Sequence, residues 1–520
     1  MLLKMLRLKL RAGLLDATPS WLSASHTGPA GRQRQCSTQV VAGELETFLA
    51  RQQERDRPVS GFVENEFRAF LDCGILARGF LRLHCQDCGR DRLLAFSCKA
   101  RVWCPSCGGR RMSDTAARLV DRVFPIVPVR QWVLSLPFAL RYRMAYDRRL
   151  TSDVLNVFIR ALFGELQRRA KQLRGLRSTQ CGAVTFVQRF GDALNANVHF
   201  HSMVIDGVYA AGEDGPPRFH PLPAPEDEDV LHLTALINER VRSLLERSGL
   251  GSEAEPRQAD PLSEDDPGIA ALLASSVGGR IAVASNGGHG VVRMGDRIDP
   301  DSMDIFESAR SAMVSGFSVH ANISVEARDR RRLERLMRYA ARPAVATNRL
   351  SELSDGRLHY CLKRPWRDGT TAVIFERQDF IAKLAVLVPA PRAHLTRYHG
   401  VLGPAAAWRS MIVPTGNRNR RETDVTPPPG AQQSAVRTVE VGPCTGSSAR
   451  DRNYTWADLM KRVFRVDVLQ CEHCGGRMKI LAVIRPPTAT VRILECLGLP
   501  SRAPPLAPAS SDYDCQVDAF

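Results

Sequence analysis

The chain has 520 residues, 44% of them hydrophobic, and carries a formal net charge of +17. Its length suits about two to four domains with sizeable cores, and no apolar run reaches the ~18 residues that spanning a membrane takes. The excess of positive charge favours a polyanionic partner such as nucleic acid. Because no apolar run is long enough to span a membrane, we expect a cytoplasmic protein with no membrane partner.

The first segment, residues 1–40, is basic and leucine-rich, with Asp16 as its only acidic residue. This composition is compatible with an organelle transit peptide, but no convincing small-residue cleavage site follows it. We therefore predict a disordered basic leader or an over-extended start of the chain.

An N-terminal module is predicted at residues 41–115, with a helical lead-in before a cysteine cluster. Its strongest metal signal is the spacing Cys85-x2-Cys88-x15-Cys104-x2-Cys107, in which each pair has the Gly or Pro neighbours of a tight turn. Four thiolates close a tetrahedral zinc site with no open position for catalysis. We therefore predict that these residues bind a structural Zn²⁺ ion.

The other features of this module concern its remaining cysteines and its charge. The chain has 14 cysteines, the clearest of them paired as CxxC, and without a signal peptide this pattern favours thiolates on metal over disulfides. Cys98 lies between the two pairs in a β-like run and is left out of the predicted site. Arg110 and Arg111 flank the cluster and are predicted to contact DNA.

A sheet domain is predicted at residues 120–414, because strand and helix patterns alternate there. Its clearest elements are strands at 131–137, 183–189 and 316–325, and helices at 151–174 and 327–341. Residues 211–268 are rich in proline and acidic side chains around one amphipathic helix at about 230–247. They are predicted to be a partly disordered insertion on this domain.

The run Val198-His199-Phe200-His201 is the most informative short motif in the sheet domain. On a strand, His199 and His201 point the same way about 7 Å apart, while Phe200 turns into the core. Neutral imidazole is a common metal ligand, so the pair can share a metal ion. The alternative is a half-buried strand with two hydrogen-bonded histidines.

The helix at 327–341 is rich in arginine, ends before Pro343 and carries Tyr339 near its end. Arginine suits bidentate phosphate contact better than simple solvation, although a solvated helix face is the alternative. A helical tyrosine usually belongs to a core. This one follows a candidate metal-binding strand and lies among cations. Phosphotyrosine chemistry needs both, a metal ion to polarise the scissile phosphate and cations to balance the developing charge.

Beyond residue 414 we predict a linker at 415–452, a small C-terminal module at 453–500 and a disordered tail at 501–520. The module has a helix and two strands, at 466–471 and 478–484. It also contains Cys471-x2-Cys474, half of a zinc pattern. Cys444, Cys496 or Cys515 can complete this half-site, or it binds no metal.

Several motifs, in order, resemble one family: the HUH rolling-circle transposases of the IS91 and insertion-sequence-common-region type, from about residue 60 to 500. They are Phe96-Ser-Cys-Lys-Ala-Arg101, Cys104-Pro-Ser-Cys-Gly-Gly-Arg-Arg-Met112, Gln131-Trp-Val-Leu-Ser-Leu-Pro137, Phe186-Val-Gln-Arg-Phe-Gly191, Asn197-Val-His-Phe-His201, Gly316-Phe-Ser-Val-His-Ala321, Arg338-Tyr-Ala-Ala-Arg-Pro343 and Pro391-Arg-Ala-His-Leu-Thr-Arg-Tyr-His-Gly400.

The resemblance implies an α+β fold, with an HUH-type antiparallel sheet and its helices between the zinc module and the C-terminal module. It also implies a DNA transposase that nicks and rejoins single-stranded or hairpin element ends through a 5′-phosphotyrosine intermediate. In that reading Tyr339 is the nucleophile, and His199 and His201 hold Mg²⁺ or Mn²⁺. A third metal ligand is usual in the family; His320, on a separate strand, is our candidate, and Gln188 is nearly as plausible. The DNA-binding residues would be Arg110, Arg111, Arg335, Arg338 and Arg342.

One departure from the family pattern is the single tyrosine on this helix. Some relatives carry two tyrosines four residues apart, whereas Arg335 and Pro343 stand at those positions here. Such an enzyme must act sequentially, pair two subunits as a homodimer, or recruit another residue. Tyr360 and Tyr398 are the available tyrosines and are expected to be structural.

Three rival interpretations compete with the transposase. A non-catalytic zinc-containing DNA-binding protein explains the charge and the cysteines but not the histidine strand. A metal-dependent nuclease without a covalent intermediate would use the histidine pair to activate water, and its cleavage activity would survive loss of Tyr339. A decayed transposase copy would fold without cutting, although the intact histidine pair and Tyr339 argue against decay.

Overall fold

A computed structural model describes residues 36–99, 102–212, 215–250, 260–283, 287–294, 309–366, 368–414 and 454–510. Most of the predicted leader, the whole predicted linker and the last ten residues of the predicted tail lie outside the described residues. Within the described ranges, no helix combines the length and the apolar character that crossing a membrane requires.

The N-terminal region begins with two helices, α1 (Cys36–Glu54) and α2 (Gly61–Asp72), which fill the predicted helical lead-in. A hairpin of β1 (Phe80–Cys85) and β2 (Asp91–Ala95) follows, and the first cysteine pair begins at the end of β1. The second pair opens helix α3 (Pro105–Arg122), whose proline occupies the first turn, where its missing N–H costs nothing.

The rest of the described chain alternates strands and helices. In chain order these are β3 (Val129–Ser135), α4 (Phe138–Tyr146), α5 (Arg148–Arg174), β4 (Gly182–Phe190), β5 (Ala196–Ile205), β6 (Gly207–Ala210), β7 (Arg218–Pro221), α6 (Asp227–Arg247), α7 (Pro261–Asp265), α8 (Pro267–Val277), β8 (Val292–Met294), β9 (Ser311–Val314), β10 (Phe317–Val325), α9 (Arg330–Ala340), β11 (Leu350–Glu352), β12 (Leu358–Cys361), β13 (Ala372–Phe375), α10 (Arg377–Leu387), β14 (Thr396–Gly400), α11 (Arg409–Ile412), α12 (Trp456–Phe464), β15 (Met478–Ile484) and α13 (Thr488–Cys496).

The central sheet has six strands in the order β14-β4-β5-β3-β10-β9, and all neighbouring strands are antiparallel. Smaller antiparallel sheets have the orders β11-β12-β13-β8, β6-β7 and β15-β1-β2. The predicted α+β class with an antiparallel sheet is therefore confirmed, and each strand predicted within the sheet domain is present.

One face of the central sheet packs on the larger core. Val198, Phe200 and Val204 of β5 point to this side, where Phe200 stacks on Phe158 of α5 with ring centroids 6.5 Å apart. Helix α6 covers β9 and β10 and also packs on α5. The predicted insertion thus supplies a core helix.

The helix predicted at about 230–247 is present as α6, and it begins about one turn earlier. The acidic residues before the predicted start form its first turn, where Glu226 and Asp229 make a reciprocal capping box. Negative charge at a helix N-terminus is favourable. The following apolar positions are fully buried: Val230, Leu233, Ile237 and Val241.

The opposite face of the central sheet is covered by α3 and α9, which also pack on each other. Leu119 and Val120 of α3 meet Leu333 and Met337 of α9 in this second core. The predicted module boundary at residue 115 therefore falls inside a helix that both regions share.

Arg330 ties the start of α9 to the end of α3. Its guanidinium donates to the backbone carbonyls of Pro125 at 3.0 Å and Phe124 at 2.8 Å. These carbonyls belong to the chain leaving α3, where acceptors lack helical partners. This arginine of the predicted phosphate-binding helix is therefore a structural cap.

The C-terminal segment folds back onto the N-terminal region. Strand β15 pairs with β1, while residues 466–469, predicted as a strand, form the approach to a turn. Residues 501–510, predicted as a disordered tail, run along α1. There Ala507 N–H donates to the Ala42 carbonyl at 3.1 Å and Ser510 N–H to Thr47 Oγ1 at 3.0 Å. This proline-rich chain is ordered by packing rather than by secondary structure.

A buried ion pair fixes the start of β3 against the end of β5. Arg130 donates to Asp206 at 3.0 and 2.7 Å and to the Ala321 carbonyl at 3.0 Å. Because Arg130→Met leaves the Asp206 carboxylate buried without its partner, we expect it to lower the free energy of unfolding by about 3–5 kcal/mol. Urea denaturation followed by circular dichroism measures this loss.

The matched control for this prediction is Arg357→Ala, which removes the exposed ion pair between Arg357 and Asp355. A solvent-screened surface pair contributes little to stability, so the control variant should stay close to wild type. Equal losses in the two variants would contradict the assignment of Arg130 as a core contact.

Candidate active site and cysteine clusters

His199 and His201 lie side by side on the face of β5 that α3 and α9 cover. Their ring centroids are 5.0 Å apart, and their neighbours on β5 with the same orientation, Met203 and Ile205, belong to the second core. The strand alternation predicted for the pair is therefore present.

The hydrogen bonds of the two rings fix different tautomers. His199 Nδ1 lies 3.0 Å from the Asn197 carbonyl. A carbonyl only accepts, so His199 Nδ1 carries the proton and Nε2 keeps its lone pair. His201 Nδ1 lies 2.7 Å from Gln131 Nε2. An amide N–H only donates, so His201 Nδ1 accepts this hydrogen bond and the ring proton is on Nε2.

Burial keeps both histidines neutral. Desolvation, followed by the positive charges of Arg342 and Arg141, lowers the pKa of His199 to about 4. Desolvation and the neighbouring His199 lower the pKa of His201 well below its ordinary value. Both rings are therefore neutral near pH 7, which is the protonation state that a metal ligand needs.

Tyr339 lies beside the histidine pair, at the end of α9. Its ring centroid is 6.2 Å from that of His201, with the rings almost perpendicular. Met337 and Ala340 are buried in the second core, whereas Tyr339 is half-buried. The packing of α9 on the sheet thus brings together the two motifs that the sequence singled out separately.

Two cations stand against the Tyr339 ring. Arg342 lies 4.6 Å and Lys363 Nζ 4.1 Å from the ring centroid. Arg342 is also 3.5 Å from Asp192, so it is held near the site. Sequence reasoning missed Lys363, because it follows β12 of a different sheet and no local pattern links it to Tyr339.

Gln188 is the polar side chain directly opposite His199 in the sheet register. Its Nε2 donates to the Ala340 carbonyl at 2.8 Å, which fixes the orientation of the amide. Its buried Oε1 has no hydrogen-bond partner among the described residues. A buried acceptor without a hydrogen-bond partner is unusual, and a bound ion is one way in which such an oxygen is satisfied.

His320 does not reach the histidine pair. It lies opposite Val133, which in turn lies opposite His201, so two strand spacings of about 4.8 Å each separate the backbones. Among the described residues, the groups of three or more His, Cys, Asp or Glu with ligand atoms within 4.8 Å of one another contain cysteines alone. Of the two candidates for a third ligand, Gln188 therefore lies directly opposite His199, whereas His320 lies one strand farther from the pair.

The other residues predicted to bind DNA or to supply a second nucleophile are spread over the surface and the core. Arg110 and Arg335 are exposed, Arg338 is half-buried, and Arg111 donates to the Lys99 carbonyl at 2.8 Å. Tyr360 is fully buried and accepts a 2.8 Å hydrogen bond from Arg349. Tyr398 is half-buried opposite Val184.

The four cysteines predicted as one zinc site divide between two clusters. Cys104 and Cys107 meet Cys73 and Cys98 in cluster A, with sulfur–sulfur distances of 3.8 Å (Cys73–Cys107), 3.4 Å (Cys98–Cys107) and 3.9 Å (Cys73–Cys104). The omission of Cys98 was therefore wrong. Cys73 was missed because it is a lone cysteine after α2, outside any CxxC pattern.

Cys85 and Cys88 form cluster B with Cys471 and Cys474, at the opposite end of the sequence. The sulfur–sulfur distances are 3.4 Å for Cys85–Cys474 and 3.7 Å for Cys88–Cys471. The half-site at Cys471 is thus completed by the N-terminal pair. Of the three cysteines predicted as able to complete this half-site, Cys496 is exposed and is not part of the cluster, while Cys444 and Cys515 lie outside the described residues.

Both clusters fit a tetrahedral zinc ion. Sulfurs bound to zinc at about 2.3 Å lie about 3.8 Å from one another, close to the distances above. Backbone N–H groups of Cys474 and His473 lower the pKa of Cys471 to about 6, which favours the thiolate that binds metal. Zinc with four protein thiolates serves a structural role.

Cluster A also touches the segment after Tyr339. A Cβ atom at Gly108 would come within 2.8 Å of Pro343 Cβ, and Ala344 N–H donates to the Val102 carbonyl at 3.3 Å. Gly108 follows Cys107, so the cysteine turn and the end of the tyrosine segment are in direct contact.

Comparison with known families agrees with this arrangement. Residues 44–136 match the IS91 transposase zinc-binding domain, and residues 182–409 match the transposase family Y2_Tnp. No curated protein and no solved structure matches the chain. The two matches together cover more than half of the chain and contain cluster A, the histidine pair and Tyr339. The chain therefore belongs to the IS91-type transposases, a family of DNA-processing enzymes.

Proposed function

We propose that this transposase nicks and rejoins single-stranded DNA at the ends of its mobile element, through a 5′-phosphotyrosine link at Tyr339, in rolling-circle transposition. The observation that carries the proposal is the position of Tyr339 beside His201, with Arg342 and Lys363 against its ring. A nucleophile, a candidate metal pair and two cations then meet at one site.

The metal ligands in this proposal are His199 Nε2, His201 Nε2 and Gln188 Oε1. For His201 Nε2 to bind, the Gln131 amide turns so that its oxygen, in place of Nε2, faces His201 Nδ1 and accepts the ring proton there. Two neutral imidazoles with one amide oxygen leave coordination positions for water and phosphate, as Mg²⁺ and Mn²⁺ require. The unpartnered Gln188 oxygen supports this choice. When bound, the ion would polarise the scissile phosphate and offset its developing charge.

In the cleavage step the Tyr339 hydroxyl oxygen forms a bond to the scissile phosphorus, and the bond from phosphorus to the 3′ oxygen breaks. The tyrosine proton passes to solvent, and the departing 3′ oxygen takes up a proton. Arg342 and Lys363 would balance the negative charge that grows on the phosphate oxygens. Rejoining reverses these steps when a 3′-OH attacks the phosphotyrosine.

The DNA-contacting residues of the proposal are the exposed Arg110, Arg111 and Arg335 and the half-buried Arg338 and Arg342. The arginine guanidinium can donate two parallel hydrogen bonds to phosphate oxygens. A structural zinc ion in cluster A would fix the N-terminus of α3, on which α9 packs. With one tyrosine on this helix, two covalent DNA ends require two subunits or two successive steps, so we also propose a homodimer.

Tyr339→Phe removes the proposed nucleophile while keeping its ring, so we expect it to lower covalent adduct formation by at least about 10³-fold. The assay uses a random-sequence pool of labelled single-stranded DNA with Mn²⁺. Adducts are captured under denaturing conditions and sequenced to define the preferred end. His199→Ala should abolish the adduct as well.

Tyr398→Phe is the matched control for the nucleophile. Tyr398 is half-buried like Tyr339, but it lies on β14 of the central sheet, opposite Val184. It should form the adduct at the wild-type rate. Cleavage without any adduct, undiminished in Tyr339→Phe, would establish the rival metal-dependent nuclease. DNA binding without cleavage of any sequence in the pool would favour a non-catalytic binding protein.

Gln188→Ala should raise the Mn²⁺ concentration for half-maximal adduct formation by about 10–100-fold, since one ligand is lost. Gln188→Glu should restore tight binding, because a carboxylate is a good ligand for this ion. Electron paramagnetic resonance of Mn²⁺ measures binding directly. His320→Ala serves as the control, and a larger effect there than in Gln188→Ala would reinstate His320 as the ligand.

Lys363→Ala removes one of the two cations at the Tyr339 ring and leaves the other. We expect the single-turnover rate at saturating DNA to fall by about 10–100-fold, with half of that loss or more recovered by Lys363→Arg. Rapid-quench kinetics give the rate. Arg364→Ala, at the adjacent exposed position, is the control, and equal rates for the two alanine variants would remove Lys363 from the mechanism.

A further inference from the structure

The C-terminal segment, residues 454–510, lies outside both family matches, yet it contacts the N-terminal region along most of its length. Strand β15 pairs with β1 from Phe80, opposite Ile484, to Cys85, opposite Met478. Leu494 of α13 is fully buried against Phe80. The two ends of the described chain therefore form one structural unit.

Cluster B sits where these two ends meet. Its two turns have the same conformation. Gly89 N–H donates to the Cys85 carbonyl and Gly475 N–H to the Cys471 carbonyl, each at 2.9 Å, and both glycines have positive φ, 72° and 75°. Two equivalent turns that present four sulfurs to one point are the arrangement of a four-thiolate zinc site. The sulfurs are too far apart for the ~2.05 Å of a disulfide.

Immediately before cluster B, helix α12 contacts the helix that carries Tyr339. Arg462 donates to Asp121 of α3 at 2.9 Å and to Glu334 of α9 at 2.7 Å. Tyr454 adds a 2.5 Å hydrogen bond to Asp121. Although burial acts in the opposite sense, the bonds from Arg462 and Tyr454 hold the pKa of Asp121 below its ordinary value. Arg462 thus bridges the two helices on the active-site face of the sheet.

We propose that Cys85, Cys88, Cys471 and Cys474 bind a second structural zinc ion, which clasps the C-terminal segment to the N-terminal region. The clasp places Arg462 as a positioning residue that holds α9, and with it Tyr339, against the histidine pair. The zinc site stands independently of the proposed function, whereas the role of Arg462 in cleavage rests on it.

Zinc content tests the clasp without any activity measurement. Full-length protein, dialysed against buffer with a weak chelator and analysed by inductively coupled plasma mass spectrometry, should contain two zinc ions per chain. The double variant Cys471→Ser/Cys474→Ser should contain one. Cys496→Ser, which removes an exposed cysteine of the same segment, should retain both. A single zinc in the wild type, or two in the double variant, would overturn the site.

Arg462→Ala tests the positioning role with the zinc content unchanged. Amide hydrogen exchange in α9 should speed up by about tenfold or more, because α9 loses the bridge that Arg462 makes from Glu334 to Asp121. The single-turnover adduct rate should fall by about tenfold at saturating DNA, with the half-saturating DNA concentration unchanged. Arg462→Lys should recover part of both losses.

The control for this pair of measurements is Lys461→Ala. Lys461 lies on the same helix as Arg462, and its replacement removes only a surface ion pair with Asp467. Wild-type exchange in α9 after Arg462→Ala would overturn the positioning role. If the wild type forms no adduct at all, the proposed cleavage chemistry fails. The exchange and zinc measurements would still decide whether the clasp exists.

Discussion

The alternation of side chains along β5 determines which groups share the candidate site. His199 and His201 leave the sheet on the face that α3 and α9 cover, while Phe200 enters the opposite core. A slip of one residue would exchange the two sets and bury the imidazoles in an apolar core. Hydrogen bonds to β3 on one side and β4 on the other hold this register. The same register sets Gln188 beside His199. The packing of α9 on this face then brings Tyr339 to a position that nothing in its own helix specifies.

The sequence predicted what depends on near neighbours in the chain. Strand and helix periods located β3, β4, β5, β10 and α9 closely, because each pattern is repeated within one element. It failed where partners meet across long separations. A CxxC turn is a local structure and was recognised, but which two turns share a metal depends on the pairing of β1 with β15. Cys73 carried no local signal at all, and Cys98, which lies between the two CxxC pairs, was set aside because its surroundings resemble a strand.

The third metal ligand shows where prediction from the sequence ends. His320 was preferred because it lies on a separate strand, but the sequence does not say how far apart two strands lie in a sheet. In the observed order Gln188 is directly opposite His199, whereas Val133 lies between His320 and His201. The helix α6, by contrast, was predicted from its own apolar period, because its buried positions and its capping box both lie within one segment.

The sharing of α3 has a consequence for recombination between relatives. Its first turn carries Cys104 and Cys107 of cluster A, and the chain leaving its last turn is capped by Arg330 of α9. A crossover at residue 115 would therefore join halves of one helix from different parents and place foreign surfaces in the second core. Because β15 completes the sheet of β1, a functional exchange would also have to carry the segments that encode β1 and β15 together. The heritable unit at this surface is discontinuous in sequence, although the two family matches are each continuous.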